Sequence, residues 1–279
     1  MSEVYRDKNS FLKARAGLKG TLGLVPTMGH LHRGHLELVK KSLQENDHTV
    51  VSIFVNPTQF DPGEDFESYP RNLEADKKKL DELGENLIIW APRDPKEIYP
   101  PGFQTFIKLK PLSTYLCGKS RPNHFEGVTT VVYQLFRHVR PNRAYFGKKD
   151  YQQWVILKRM NEDLGLGVDV IGLATVREKS SLALSSRNAY LSEEQKEEAL
   201  ILRNSLLIIE KILKNESLEM AEKEAKKIQT DREDNWDYLE IRQASDLSRP
   251  DNQTKNFLIA GAFYIGKARL IDNIEVRID

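Results

Sequence analysis

Two apolar patterns alternate along the first 175 or so residues. Short aliphatic and β-branched runs at 21–25, 49–55 and 87–91 are apolar at nearly every position. That is the pattern of strands buried on both faces of a parallel sheet. Between them, helical spacing predicts helices over 34–46, with Leu36, Val39 and Leu43 on one face, and over 71–83, 125–139 and 150–164. A short strand is expected at 144–146, and the proline-rich stretch 91–111 predicts loop with one extended piece at 104–108. Strand, helix and strand in this order predict an α/β fold with a doubly wound parallel sheet and right-handed crossovers. Ligands of such sheets sit beyond the carboxyl ends of the strands, where helices begin.

The texture changes after Val176. A Ser-x-x-Gln capping box, Ser192 to Gln195, predicts a helix running to about Lys214, followed by a charged helix over 218–229. Strands are expected at 236–242, 256–264 and 270–278. The reading is therefore two units: a parallel-sheet unit over 1–176 and a smaller α+β unit over 177–279. There is no internal repeat and no low-complexity segment.

Composition narrows the classes. At 39% hydrophobic and 30% charged residues, the 279-residue chain has the mixture of a globular protein with a sizeable core. Forty-two Lys and Arg against 41 Asp and Glu leave a net charge of +1, which excludes a global polyanion-binding field and with it a nucleic-acid partner read from charge alone. One cysteine, Cys117, excludes an internal disulfide framework and any multi-cysteine metal site. The first residues carry charges where a secretory leader needs an apolar run, and the apolar stretches break after about half a dozen residues. The expectation is a soluble cytoplasmic protein with no membrane partner.

The candidate chemistry lies between the first expected strand and the first long helix, in the segment 26–35, PTMGHLHRGH. His32-x-Gly34-His35 puts two imidazoles on a first helical turn, beside backbone N–H groups without intrahelical partners and at the positive end of the helix dipole. Gly29 and Gly34 allow close backbone approach. Such a place suits phosphate, with imidazole N–H groups donating to charge that develops on phosphoryl oxygens. Two other readings of the same residues stay open: polar groups that merely begin a helix, or a metal site built from His30, His32 and His35.

The segment resembles the signature of the pantothenate synthetase (pantoate–β-alanine ligase) family, part of the nucleotidyltransferase superfamily that shares an HxGH motif. Further stretches match in family order: 52–60 (SIFVNPTQF), 69–71 (YPR), 121–127 (RPNHFEG), 146–153 (FGKKDYQQ), 185–188 (SSRN) and 270–276 (LIDNIEV). Together they cover nearly the whole chain. The resemblance implies a Rossmann-like domain with the C-terminal unit as a lid, a homodimer, ATP and Mg²⁺, and a two-step reaction. Pantoate is first activated as an adenylate with release of pyrophosphate; the amine of β-alanine then displaces AMP.

By the same resemblance His35 is a proton donor and His32 its phosphate-binding companion, with Lys149 and Arg187 completing the catalytic set. The ATP site would draw on Pro26, Thr27, Met28, Gly29, His30, Leu31, Arg33 and Gly34. It would also use Gly147, Lys148, Lys149 and Asp150 after the 144–146 strand, and Val176, Leu184, Ser185, Ser186 and Arg187 between the two units. Gln59 would meet both pantoate and β-alanine, and Gln153 pantoate. Asp76 would be the protein ligand for Mg²⁺.

Three positions depart from the family's usual pattern. Lys148 stands where Glu is more common and Leu184 where Met is frequent. Ala75 leaves Asp76 alone where the family has an acidic pair. Two competing functions use the same features: another HxGH nucleotidyltransferase acting on a cofactor precursor, and a non-catalytic ligand- or RNA-binding protein retaining the fold.

Overall fold

The computed structural model describes residues 2–278. The parallel sheet is built from β1 (Glu3–Tyr5), β2 (Leu22–Thr27), β3 (His48–Ile53), β4 (Leu87–Trp90), β5 (Arg143–Gly147) and β6 (Asp169–Leu173), in the order β1-β4-β3-β2-β5-β6. Every pairing in it is parallel. Side chains alternate between its faces. Leu24, Val50, Trp90 and Phe146 enter one apolar cluster, and Val25, Val51, Ile89 and Tyr145 the opposite one. Burial on both faces is why these strands read as continuous apolar runs.

The covering helices are α1 (Lys8–Gly17), α2 (Arg33–Glu45), α3 (Leu73–Asp81), α4 (Cys117–Ser120), α5 (His124–Val139) and α6 (Tyr151–Asp163). The α5 helix buries Val128, Val131, Val132, Leu135 and Phe136 against one face of the sheet, and α2 and α3 bury Leu38, Val39 and Leu80 against the other. After Val139, Arg140 takes a left-handed conformation (φ 47°) immediately before Pro141, and α5 stops there.

From β2 the chain builds outward through β3 and β4, then crosses back to place β5 on the other side of β2. That makes the carboxyl ends of β2 and β5 the topological switch point, where a crevice opens. The two loops with the most informative sequence, 28–32 and 147–150, leave the sheet at that point.

The C-terminal part consists of α7 (Glu193–Asn215), α8 (Leu218–Asp231) and an antiparallel sheet of β7 (Trp236–Gln243), β8 (Asn256–Ile265) and β9 (Ala268–Arg277). The expected capping box is present: Gln195 N–H donates to Ser192 Oγ at 3.3 Å, and Ser192 N–H to Gln195 Oε1 at 3.0 Å. A shared apolar cluster joins this sheet to the first. Tyr151, Val155 and Ile156 of α6 pack with Tyr238, Leu258, Ala260 and Ala262. No helix among the described residues is long and apolar enough to cross a membrane.

Three elements differ from the sequence reading. The first is the β1–α1 unit, which has a weak signal because Phe11 is the only buried residue of α1. That one ring stacks on Trp90 with centroids 4.3 Å apart and parallel planes, which fixes the helix. The edge strand β6 is the second. The third is the 104–108 piece, which is not a strand; its Ile107 backbone is held by the hydroxyls of Thr129 and Thr130 on α5 instead.

Candidate active site

The amino end of α2 is organised by its own histidines. His32 is the N-cap, and its Nδ1 accepts the Gly34 N–H at 3.1 Å. The N–H of His32 in turn donates to Nδ1 of His35 at 3.3 Å, a capping box made of two imidazoles. The rings stack with centroids 4.0 Å apart. A methyl group on Gly34 would lie 2.9 Å from Cε1 of His32 and 3.0 Å from its Nδ1. Only glycine lets the first imidazole fold back over the helix. Gly34→Ala is expected to weaken about tenfold the binding of the ATP that the sequence resemblance implies, read by calorimetric titration, because the displaced ring loses both its cap and its aim.

Both imidazoles are held neutral. Burial, then the neighbouring Lys149 ammonium, pushes His32 down to about 4. His35 is pushed well below its ordinary value by burial, then by His32 and Lys149. A neutral imidazole whose Nδ1 accepts a hydrogen bond carries its proton on Nε2. Each ring therefore offers one Nε2–H, and both residues line the main cavity of the protein, about 520 Å³ in volume. They are neutral hydrogen-bond donors in this state rather than charged acids.

Burial likewise lowers His124 to about 3 and His138 to about 4. In the unfolded chain these four groups take up protons near 6.5, whereas the fold resists protonation until far lower pH. The unfolded state thus binds more protons below 6.5, so stability falls as pH drops from 6.5 toward 4. Thermal melts at successive pH values should show that decline, and His124→Gln should flatten it.

The opposite wall comes from the end of β5. Gly147 leads into a 3-10 turn, Lys148–Asp150, whose two lysines point apart. The Lys148 ammonium leaves the cavity to pair with Glu275 at 2.7 Å and to sit 4.7 Å over the Trp154 ring. Lys149 lines the cavity together with Gly147 and Asp150. The third wall is the 3-10 turn Ser186–Tyr190 with the residues just before it. Val176, Leu184, Ser185, Ser186 and Arg187 all line the cavity. The guanidinium of Arg187 donates to Asp65 at 2.9 Å, and the Ser186 and Tyr69 hydroxyls lie 3.4 Å apart.

Gln59 and Gln153 also line the cavity, with Met28 and with apolar groups that include Phe54, Val131 and Phe146. The 3-10 turn Pro57–Gln59 is fixed from beneath. Asn56, 1% exposed, donates through Nδ2 to Gln59 Oε1 at 3.2 Å and to Gly127 O at 3.1 Å. Gly127 is required there, because a methyl group would lie 2.2 Å from the Thr58 carbonyl oxygen. The adjacent Gln152 is spent on structure, accepting the Cys117 N–H and donating to the carbonyls of Leu112 and Tyr115.

The expected ATP-site residues divide between the cavity wall and the structure behind it. Pro26, Thr27, Met28 and Gly34 are in the wall, but Gly29, His30, Leu31, Arg33 and Lys148 are not. Leu31 is 2% exposed in the core, and Arg33 donates to the Arg177 carbonyl at 2.5 Å.

Asp76 is the residue expected as a magnesium ligand. It is 2% exposed, and its oxygens accept the N–H groups of His30 at 2.8 Å and Leu31 at 2.7 Å. Asp76 braces the loop from behind, with both carboxylate oxygens engaged by it. Among the described residues no three His, Cys, Asp or Glu side chains group to hold a metal.

The sequence reading assigned no role to Arg121, His124, Cys117, Tyr238 or Arg269, which line the remaining part of the cavity. Arg121 forks onto Glu64 at 2.5 and 2.6 Å, and His124 Nδ1 lies 2.8 Å from the Gln59 carbonyl. The first three lie in or just before helices α4 and α5 and the last two on β7 and β9. Only the motif 121–127 marked any of them in sequence.

A parallel sheet with a donor-lined crevice at its switch point is the arrangement in which open α/β folds hold their ligands. Comparison with known proteins gives the narrower class. A sequence model described as pantoate-beta-alanine ligase matches residues 3–275, and the chain belongs to that family. It is 45% identical to the pantothenate synthetase of Acetivibrio thermocellus, over 99% of each chain. It is also 45% identical to that of Thermotoga petrophila, over 97% of each.

Among solved structures, pantothenate synthetase from Thermus thermophilus superposes with a TM-score of 0.91 at 41% identity, covering 99% of this chain and 100% of that one. A pantoate-beta-alanine ligase from Francisella tularensis, complexed with beta-gamma ATP and beta-alanine, gives a TM-score of 0.76 at 34% identity, covering 98% and 97%.

Proposed function

We propose that this chain joins (R)-pantoate to β-alanine, using ATP, to form pantothenate through a pantoyl-adenylate. The observation that carries this reading is a single cavity with neutral imidazoles, Lys149 and Arg187 among its walls, and with Gln59 and Gln153 beside apolar side chains. In the first step a pantoate carboxylate oxygen bonds to the α-phosphorus as the bond to pyrophosphate breaks. In the second the β-alanine amine bonds to the activated carbonyl carbon, loses a proton, and AMP departs with the acyl oxygen. No protein nucleophile is needed. The protein's work is positioning and charge stabilisation.

The Nε2–H groups of His32 and His35 donate to the phosphoryl oxygens, and the Lys149 and Arg187 cations balance the charge that moves toward pyrophosphate. The two glutamine amides, each both donor and acceptor, hold the hydroxy acid over the apolar side chains. Magnesium, when bound with ATP, would help neutralise the phosphate charge that Lys149 and Arg187 face. The C-terminal part, residues 177–279, supplies Arg187 and acts as the cover. The unit works as a cytoplasmic homodimer, a state that light scattering after gel filtration reads directly.

The deciding experiment is isotope exchange between pyrophosphate and ATP with pantoate present, followed by AMP release on adding β-alanine. Exchange that requires pantoate and AMP release that requires β-alanine support the reading. Absence of exchange in the wild-type protein overturns it.

A further inference from the structure

We infer that Asn273, on β9 of the antiparallel sheet, is the positioning residue for Lys149. The inference rests on the adenylate-forming reading above. Asn273 is 9% exposed, and its Nδ2 donates to two consecutive carbonyls, Lys148 O and Lys149 O, each at 2.9 Å. A side-chain amide has two N–H donors, and both are committed here. The carbonyls they bind belong to the two peptide planes on either side of the Lys149 Cα. Their capture sets both planes, and with them the direction in which the Lys149 side chain leaves the turn.

The turn has no side-chain cap of its own, at Gly147 or at Asp150, and a methyl group on Gly147 would meet nothing within 4 Å. The anchor behind Asn273 is rigid by contrast. Asn273 pairs with Ala260 in the antiparallel ladder, and its N–H donates to Asp272 Oδ1 at 2.8 Å. Asp272, 4% exposed, is forked by the Arg177 guanidinium at 2.7 and 2.9 Å. Two residues along, Glu275 pairs with the Lys148 ammonium and accepts the Tyr151 hydroxyl at 2.9 Å. The strand thus draws Lys148 outward by its side chain and holds Lys149 by its backbone. The consequence is a lysine of the parallel sheet that is aimed by the other sheet.

The test is a double-mutant cycle on pantoate-dependent ATP–pyrophosphate exchange, using Asn273→Ala, Lys149→Ala and the pair. Asn273→Ala should lower kcat/KM for ATP about tenfold and leave KM for β-alanine within twofold. Placed on Lys149→Ala it should cost less than twofold more, because the residue it aims is gone. Asn273→Leu removes the donors at nearly the same volume, adds no charge, and should reproduce the loss.

Glu275→Gln is the comparison for general loosening of the seam: it should lower the melting temperature with KM for ATP unchanged. Independent effects of Asn273→Ala and Lys149→Ala, or equal losses toward ATP and β-alanine, would overturn the assignment while wild-type exchange left the function standing. If the alanine variant folds poorly, the cycle is run with Asn273→Leu. Should the wild type show no exchange, the same cycle is read on the dissociation constant of a non-hydrolysable ATP analogue.

Discussion

Replacing His35 by alanine slows pantoate-dependent ATP–pyrophosphate exchange by about 10²- to 10³-fold, the range for losing one preorganised donor to a developing oxyanion. The effect falls on kcat more than on KM, because the hydrogen bond strengthens as charge builds on the phosphoryl oxygens. His35 is suited to this by being buried and neutral, with its Nδ1 engaged and its proton on Nε2. An anionic phosphate placed against the ring pulls its pKa back upward, so the same group can pass from donor toward acid as the reaction proceeds. His35→Gln, which keeps an N–H donor, should recover part of the loss. An exchange rate within threefold of wild type for His35→Ala would show that the ring serves only as a helix cap.

Asp76→Ala is expected to act on stability rather than on metal dependence. Its carboxylate takes two backbone N–H groups of the loop that precedes the paired histidines, in a place 2% exposed to water. Removing it leaves two buried donors without an acceptor and frees His30, which sits at a left-handed φ of 51°. The loss is about 3–5 kcal/mol, or roughly 10 °C in melting temperature. Catalysis falls with it, because the loop sets the entry of α2. The magnesium concentration for half-maximal activity should stay where it is. A shifted magnesium midpoint with an unchanged melting temperature would restore the metal-ligand role.

The parallel sheet and the paired histidines were legible because their signals are local. Strands buried on both faces read as unbroken apolar runs, and a helix start shows in the residues that cap it. Gln59, Gln153, Lys149 and Arg187 were legible only through resemblance, since a glutamine on a helix or a lysine pair at a turn looks the same on any solvated surface. What stayed hidden depends on pairings distant in sequence. The role of Asp76 is set by N–H groups some 45 positions away, and that of Asn273 by carbonyls some 125 away. The β1–α1 unit escaped notice because one ring against Trp90 holds it, with no periodic stripe.

The contact between Arg187 and Asp65 bears on discrimination among anions. A guanidinium already partnered by a carboxylate of its own chain is a poor trap for acetate, chloride or single phosphate ions, which offer little beyond what they would displace. A triphosphate brings several negative groups at once and reaches Lys149 in the same encounter, so it can win that exchange. On the proposed function, a preference for polyphosphates over monoanions is the expected consequence of an acidic loop that takes no part in bond making.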